Sequence, residues 1–574
     1  MKNTVYKPLI TPYESKMNKD TPWEDYPRPE LVRESYMTLN GKWDFAIADE
    51  GEPESYCEQI LVPFPPESRL SGVERQIPKG KYLHYSKVFT LPEGLFGERI
   101  ILHIGTCDAI CTVFVNGVRV AYHEGGYLPF SADVTDALTD GVNKIYIRAY
   151  DELSPIYPYG KQKRKRGGMW YTPVSGIWQS VWLEGVPKNY ISGLRITTDT
   201  KSAKIEVLGG EDRKKLTLSG GEIYEWAGAC IEIAPDSPRL WSPEDPFLYE
   251  FEIECGKDKI RSYFALREIG VREIDGIPRL TLNGEPYLFN GLLDQGYYPD
   301  GIFLPATVDG YLDDILLCKK MGFNTLRKHI KIEPAIFYYL CDKHGVAVFQ
   351  DMVNNSGYSF FLDTVLPTVG IKRAPDNIRH RNKRAREIFK AHSLATVEYL
   401  YSHPSVLYYT VFNEGWGQFC ADENYEMIKS ADQSRIIDAT SGWFVRRDSD
   451  VDSRHVYFKP VKLSKCGDRP VVISEFGGYS YRKEGHLFGE KNYGYKLFKS
   501  EMELEDAIVR LYSEEISPLI DKGISGLIYT QISDVEDETN GIITYDRQHL
   551  KLNPERIRGV MESLYKKVAE LEKE

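Results

Sequence analysis

A chain of 574 residues is too long for one hydrophobic core, so two to four domains are expected. Its formal net charge of −12 argues against nucleic acid and against anionic membrane surfaces as partners, and no run of about 18 apolar residues offers a membrane span. The nine cysteines are scattered without a CxxC pair, which reads as reduced thiols in a cytoplasmic protein, and no apolar run of a signal peptide follows Met1-Lys2-Asn3-Thr4.

From residue 1 to about 186 the pattern is all-β. Leu39-Asn40-Gly41-Lys42-Trp43 looks like a turn entering a strand. Strands at Tyr82 to Phe89, Arg99 to Ile104, Cys111 to Val115 and Asn143 to Ala149 follow with turn residues between them. Asn116-Gly117 between Val115 and Val118 is a two-residue hairpin signal. With no long helix-period segment, a jelly-roll-like β-sandwich is expected. The basic run Lys161-Gln162-Lys163-Arg164-Lys165-Arg166 has two readings: a solvated loop, or a segment that reaches an acidic substrate. From 187 to 273, alternating segments such as Leu194 to Thr197, Lys204 to Val207 and Leu248 to Ile253 suit an immunoglobulin-like β-sandwich without a disulfide.

From 274 to 574 strands and helices alternate. The pattern predicts strands at Tyr287 to Asn290, Asn324 to Arg327, Val346 to Asp351, Val406 to Phe412, Ile436 to Ala439, His455 to Phe458, Val471 to Ser474 and Gly526 to Thr530. It predicts helices over Val308 to Met321, Pro334 to His344 and Asp376 to Ser402, the last with Asp376 as N-cap. This βαβα order points to a (β/α)8 TIM barrel, in which catalytic residues stand at the C-terminal strand tips.

Two stretches have the same form. Val471-Val472-Ile473-Ser474-Glu475-Phe476-Gly477 and Val411-Phe412-Asn413-Glu414-Gly415 are each an apolar strand, then a glutamate, then a glycine turn. They place Glu414 at the end of the fourth strand and Glu475 at the end of the seventh. Two strand-tip carboxyls suit glycosidic bond cleavage, where one carboxyl protonates the leaving oxygen and the other attacks the anomeric carbon. In that scheme one of the two glutamates is the acid/base, still protonated near neutral pH, and the other is the ionised nucleophile. About 5 Å between them is expected for the retaining geometry. The reaction class needs neither cofactor nor metal, and no His/Cys cluster has ligand spacing.

These residues resemble glycoside hydrolase family 2, the β-galactosidase and β-glucuronidase type. The likeness rests on Leu39-Asn40-Gly41-Lys42-Trp43 and Ser175-Gly176-Ile177-Trp178 in the first sandwich, and on Leu240-Trp241-Ser242-Pro243 in the second. In the barrel it rests on Leu282-Asn283-Gly284 with Phe289-Asn290-Gly291, on Asn413-Glu414, and on Ser474-Glu475-Phe476-Gly477. The resemblance implies a sugar-binding-like sandwich, an immunoglobulin-like sandwich and a barrel, acting as a retaining exo-β-glycosidase on a small carbohydrate or glycoconjugate. It also implies that Glu414 is the acid/base and Glu475 the nucleophile, and that Asn413 bonds the sugar 2-OH; relatives are often dimers or tetramers, an analogy for a homo-oligomer.

The match departs in two places. Where relatives carry Arg, two residues and then His-Tyr-Pro, this chain reads Arg327-Lys328-His329-Ile330-Lys331. The Asn-x-Lys element with which β-glucuronidases grip a sugar carboxylate is absent, since Glu538 to Ile543 contains no lysine. Two glycone classes stay open: a galacto-configured neutral sugar, or a uronic acid read by the Arg327 to Lys331 cluster, with Lys459 as a further candidate. Arg327 has an alternative role in orienting Glu475. Asp294, Gln295 and Asp351 are candidate binders of sugar hydroxyls, as are Gln531 and Asp534, the latter otherwise a loop cap. Trp443 either stacks on the sugar or packs, and Tyr457 either donates to the nucleophile or packs at its strand end. A non-catalytic carbohydrate-binding protein on the same fold is the alternative of another class.

Overall fold

The computed structural model describes residues 8–95, 97–368, 376, 380–463 and 467–571. In the first sandwich a six-stranded antiparallel sheet faces a four-stranded one. The six-stranded sheet runs Glu58–Val62, Gly41–Ala48, Tyr82–Thr90, Val142–Tyr150, Ile110–Val115 and Val118–Glu124. Trp43, Phe45, Tyr85 and Ile147 fill the space between the sheets. The expected hairpin is present: Val115 pairs with Val118, and Asn116 and Gly117 both take positive φ, 48° and 81°, the backbone a type I′ turn demands. The second sandwich packs sheets of three and four strands around Ile205, Leu216, Ile253 and Phe264. All cysteines among the described residues are free thiols.

The third unit is a nearly closed barrel of eight parallel strands. These are β1 (Phe289–Asp294), β2 (Thr325–Lys328), β3 (Ala347–Asp351), β4 (Val406–Asn413), β5 (Ile436–Ser441), β6 (Asp452–Val456), β7 (Val471–Gly477) and β8 (Ile524–Thr530). Ladders run in the order β5-β4-β3-β2-β1-β8-β7-β6. At the seam between β5 and β6, Ser441 Oγ and His455 Nε2 meet at 2.8 Å. Two predicted strands shift along the chain: β1 extends to Asp294, and β6 begins and ends earlier than expected. No helix among the described residues is long and apolar enough to cross a membrane.

The long helix is shorter than predicted. It spans Lys383–Leu400 and its N-cap is Asn382, whose side chain accepts from Ala385 N. Asp376 does not cap it; its carboxylate takes the amides of Ala421 and Gln418 and the guanidinium of Arg446. It therefore ties the loops that follow β4 and β5. Residues 377–379 of the predicted helix lie outside the described residues, as does the Met1 to Thr4 start.

Buried tryptophans fix the sandwiches to the barrel. Trp178 Nε1 donates to Gly126 O at 2.8 Å, and its ring meets Phe303 of the barrel edge-on at 4.9 Å. Trp241 Nε1 donates to Asp342 O at 2.8 Å. Gly160 sits so close to the barrel that a Cβ there would lie 2.8 Å from Ile330 O and 2.9 Å from Tyr127 Oη. The segment after Gly160 is thus held against the C-terminal mouth of the barrel.

Candidate active site

Both glutamates are aimed by irregular backbone. Glu414 follows the last residue of β4 at φ +54°, a left-handed conformation that costs about 1–3 kcal/mol for a non-glycine residue. Its N–H is held by Ser441 O at 2.9 Å. Gly415 next to it is also left-handed, and a Cβ there would meet Phe444 at 2.2 Å, so only glycine fits. Glu475 lies in a bulge. Ile473 and Phe476 pair with Leu527 and Tyr529 of β8, so Ser474 and Glu475 stand opposite the single residue Ile528. Such insertions re-aim a side chain, and this one turns Glu475 into the barrel mouth.

One oxygen of each glutamate and a ring nitrogen of His455 lie within 4.8 Å of one another. That is close to the roughly 5–5.5 Å of retaining glycosidases and short of the about 6.5–9.5 Å of inverting ones. His455 bridges the pair, with Nδ1 2.8 Å from Glu414 Oε1 and 3.5 Å from Glu475 Oε2. The Ser441 hydroxyl donates to Ser474 Oγ at 3.0 Å. The imidazole thus spans the space between Ser441 Oγ, 2.8 Å from Nε2, and Glu414 Oε1.

Glu475 is held as an anion. Arg327 Nη1 donates to its Oε1 at 3.1 Å and Tyr457 Oη to its Oε2 at 2.8 Å. Burial alone would raise its pKa, but His455 and Arg327 outweigh burial and bring it down to about 2. Arg327 is itself locked, with two bonds to Asp351 at 2.9 and 3.0 Å and one to Asn413 Oδ1 at 2.8 Å. With its oxygen so occupied, Asn413 has its amide nitrogen left for a ligand hydroxyl. Burial and the Glu475 charge push the Tyr457 phenol well above its usual range, so it stays a donor. Its ring stacks on Tyr495 at 3.8 Å.

The pocket around these groups encloses about 570 Å³, counted with the open space at its mouth. Asn413, Gln295, His329 and Tyr457 from the sequence-predicted set wall it. Gln295 Oε1 has no hydrogen-bond partner among the described residues. Burial, reinforced by Lys161, lowers the His329 pKa to about 4, so it is a neutral imidazole whose Nδ1–H donates to Asp351 at 2.7 Å.

Other predicted residues sit elsewhere. Lys328 and Lys331 are fully buried and consumed. Lys328 Nζ bonds Asp294 at 2.6 Å and Glu333 at 2.7 Å, and Lys331 Nζ bonds Glu333 at 2.8 Å and the carbonyls of Gly296 and Phe303. Burial lowers the Lys331 pKa to about 8. Lys328 faces two carboxylates, and there Asp294 and Glu333 overcome burial and raise it. The expected basic cluster is therefore a neutralised layer behind the pocket, and Asp294 and Asp351 are its counter-charges instead of sugar ligands. Gln531 also lies behind the wall, holding Glu538 and Asn540 at 2.8 Å each. Asp534 pairs with Lys551 at 2.6 Å and caps Gly541 N. Trp443 is half-buried, 6.3 Å from the His455 ring, outside the pocket wall, and Lys459 is exposed.

Sequence reasoning missed His455, although its place two residues before Tyr457 in the predicted strand His455 to Phe458 puts both on the same side. It also missed Tyr495, Trp416 and Tyr358 in the wall, which no pattern marks, and Lys161 and Trp170 from the first sandwich.

Three family models match consecutive parts of the chain. They are the glycosyl hydrolase 2 galactose-binding domain-like model over residues 71–177, the glycosyl hydrolases family 2 model over 189–272, and that family's TIM barrel domain over 279–548. The chain belongs to glycoside hydrolase family 2. It is 25% identical over 529 residues to a β-galactosidase of Leuconostoc mesenteroides subsp. mesenteroides, covering 78% of this chain and 48% of that protein. It is 26% identical over 376 residues to a β-glucuronidase of Paenibacillus borealis, covering 58% of this chain and 61% of that protein. The chain thus spans about half the length of the curated relatives it matches. Among solved structures, a β-galacturonidase from Eisenbergiella tayi bound to glycerol superposes with a TM-score of 0.69 at 19% identity, covering 94% of this chain and 98% of that one. A β-glucuronidase from an uncultured Clostridium sp. gives 0.71 at 19% identity, covering 93% and 99%. At these identities the superpositions establish a common fold.

Proposed function

We propose that the protein is a retaining, exo-acting β-glycoside hydrolase with Glu475 as nucleophile and Glu414 as acid/base. The observation that carries this reading is the pair of strand-end carboxyls within 4.8 Å, one held ionised by Arg327 and Tyr457 and the other facing His455.

In the first step Glu475 attacks the anomeric carbon while Glu414 gives its proton to the departing oxygen, and a covalent glycosyl-enzyme forms. In the second, Glu414 takes a proton from water, the water oxygen attacks the anomeric carbon, and Glu475 leaves. Arg327 and Tyr457 keep the carboxylate unprotonated before attack and accept its charge again on release. Asn413 is placed to bond the sugar hydroxyl beside Glu475.

Variants test the roles. Glu475→Gln should abolish turnover of aryl β-glycosides. Glu414→Gln should lose activity on alkyl leaving groups yet release dinitrophenolate, which needs no proton, in a burst. Equal activity of Glu475→Gln and the parent enzyme would overturn the assignment.

A further inference from the structure

We propose that Lys161, contributed by the first sandwich, reads the carboxylate of a uronic-acid glycone, so that the enzyme acts on β-hexuronides. This rests on the glycosidase reading above and names its substrate class. Only two basic side chains wall the pocket among the described residues, Lys161 and His329. His329 is neutral and tied to Asp351. The Lys161 side chain makes no hydrogen bond or ion pair with any described residue.

The placement of Lys161 is built into the backbone. On one side Gly160, at φ +60°, lets the chain approach Ile330 O more closely than any side chain would allow. On the other, Gln162 is fully buried, its Nε2 bonded to Tyr127 Oη at 3.0 Å and its Oε1 to Val174 N at 2.6 Å. The Lys161 carbonyl accepts from Tyr171 N at 3.0 Å. Both neighbours hold the backbone here, and the Lys161 side chain lines the pocket that holds Glu414 and Glu475, close enough to act on the charge of Glu475.

Three other cations of the basic run have partners elsewhere, and Lys165 is exposed. Arg164 bonds Ile77 O at 2.6 Å, Arg166 reaches Asp537 at 3.4 Å, and Lys163 lies 5.3 Å above the Trp170 ring. Of this run, only Lys161 lines the pocket among the described residues. Its acidic neighbour in the wall, Glu538, gives its Oε2 to Gln531, and burial holds its pKa above the usual carboxylate range. An ammonium half-buried beside Met169 and Trp170, which feels Glu475 and Glu538 but bonds neither, carries a solvation cost that a ligand's charge would offset. A carboxylate on C5 is the one group that distinguishes a hexuronide from the neutral hexose. Asn540 stands in the same wall with its Oδ1 held by Gln531, which leaves its NH2 as a second donor.

The test compares aryl β-galacturonide, β-glucuronide and β-galactoside as substrates for the parent enzyme, Lys161→Gln and Lys161→Arg. Calorimetric binding of free galacturonate, glucuronate and galactose is measured alongside. The parent should favour a uronide. Lys161→Gln should lose about 10- to 100-fold in kcat/KM on it, at least about tenfold more than on the galactoside, and Lys161→Arg should restore most of the loss. Equal losses on charged and neutral substrates would overturn the proposal and make Lys161 a counter-charge for Glu538 or Glu475. A parent enzyme that cleaves the galactoside but no uronide would overturn it too. If no glycoside turns over, the glycosidase reading fails by itself. Calorimetry then decides this one: preferential uronate binding lost in Lys161→Gln sustains it, and indifference to the carboxylate refutes it.

Discussion

Tyr457→Phe removes one atom from the site. That oxygen lies 2.8 Å from Glu475 Oε2 and 2.8 Å from Thr530 Oγ1. A hydrogen bond to a charged acceptor contributes about 1.5–3 kcal/mol, equivalent to about 1–2 pKa units. Glu475 should therefore move from about 2 to about 3–4, because Arg327 and His455 remain. At neutral pH the carboxylate stays ionised, so the nucleophile is still armed. It becomes a more basic leaving group in the second step, and kcat for substrates limited by that step should fall about 10- to 100-fold. The assay is kcat/KM and kcat against pH with brief pH jumps, reading any acid limb that Glu475 sets. If kcat stays within about twofold and no acid limb moves up, the hydroxyl does not serve Glu475 and Tyr457 is a packed aromatic.

Three further outcomes follow from the geometry. Lys328→Met leaves Asp294 and Glu333 short of a buried partner and should destabilise the fold by about 3–5 kcal/mol, measured by denaturant melts, without altering the ratio of uronide to galactoside turnover. Gly415→Ala forces a Cβ against Phe444 and should displace Glu414, lowering kcat by more than about tenfold while the circular dichroism spectrum is retained. Burial holds the His392 pKa near 3, below its ordinary 6.5. Unfolding therefore takes up a proton, and the stability present above pH 6.5 is lost as pH falls toward the folded value, about 2 kcal/mol by pH 5. Melting temperatures of His392→Leu should fall less between about pH 7 and pH 5 than those of the parent.

The barrel was legible because its strands end in readable punctuation. Gly415 and Gly477 follow the two glutamates for steric reasons that hold in the folded chain, so the pattern of apolar strand, glutamate and glycine pointed to both. The bulge at Ser474 and Glu475 was not legible, since nothing in an apolar strand marks where an extra residue enters. The basic stretch from Arg327 to Lys331 misled for a different reason. Glu333 lies only two residues beyond Lys331, but Asp294 comes from another strand, and only the folded barrel shows that these carboxylates consume both lysines. Lys161 was flagged as part of a charge run, yet its delivery to the pocket depends on Gly160 meeting Ile330, a contact across some 170 residues. His455 was hidden because a lone histidine on a barrel strand looks like any core histidine until its neighbours are known.

The central claim is that Glu475 forms a bond to the sugar. Incubating the protein with activated 2-deoxy-2-fluoro β-glycosides of the uronide and galactoside series, then measuring intact mass and mapping the labelled peptide, tests it directly. The account predicts one sugar per chain, attached to Glu475, with faster accumulation from the uronide and no label in Glu475→Gln. A label on another residue, or turnover without any covalent adduct, would contradict it.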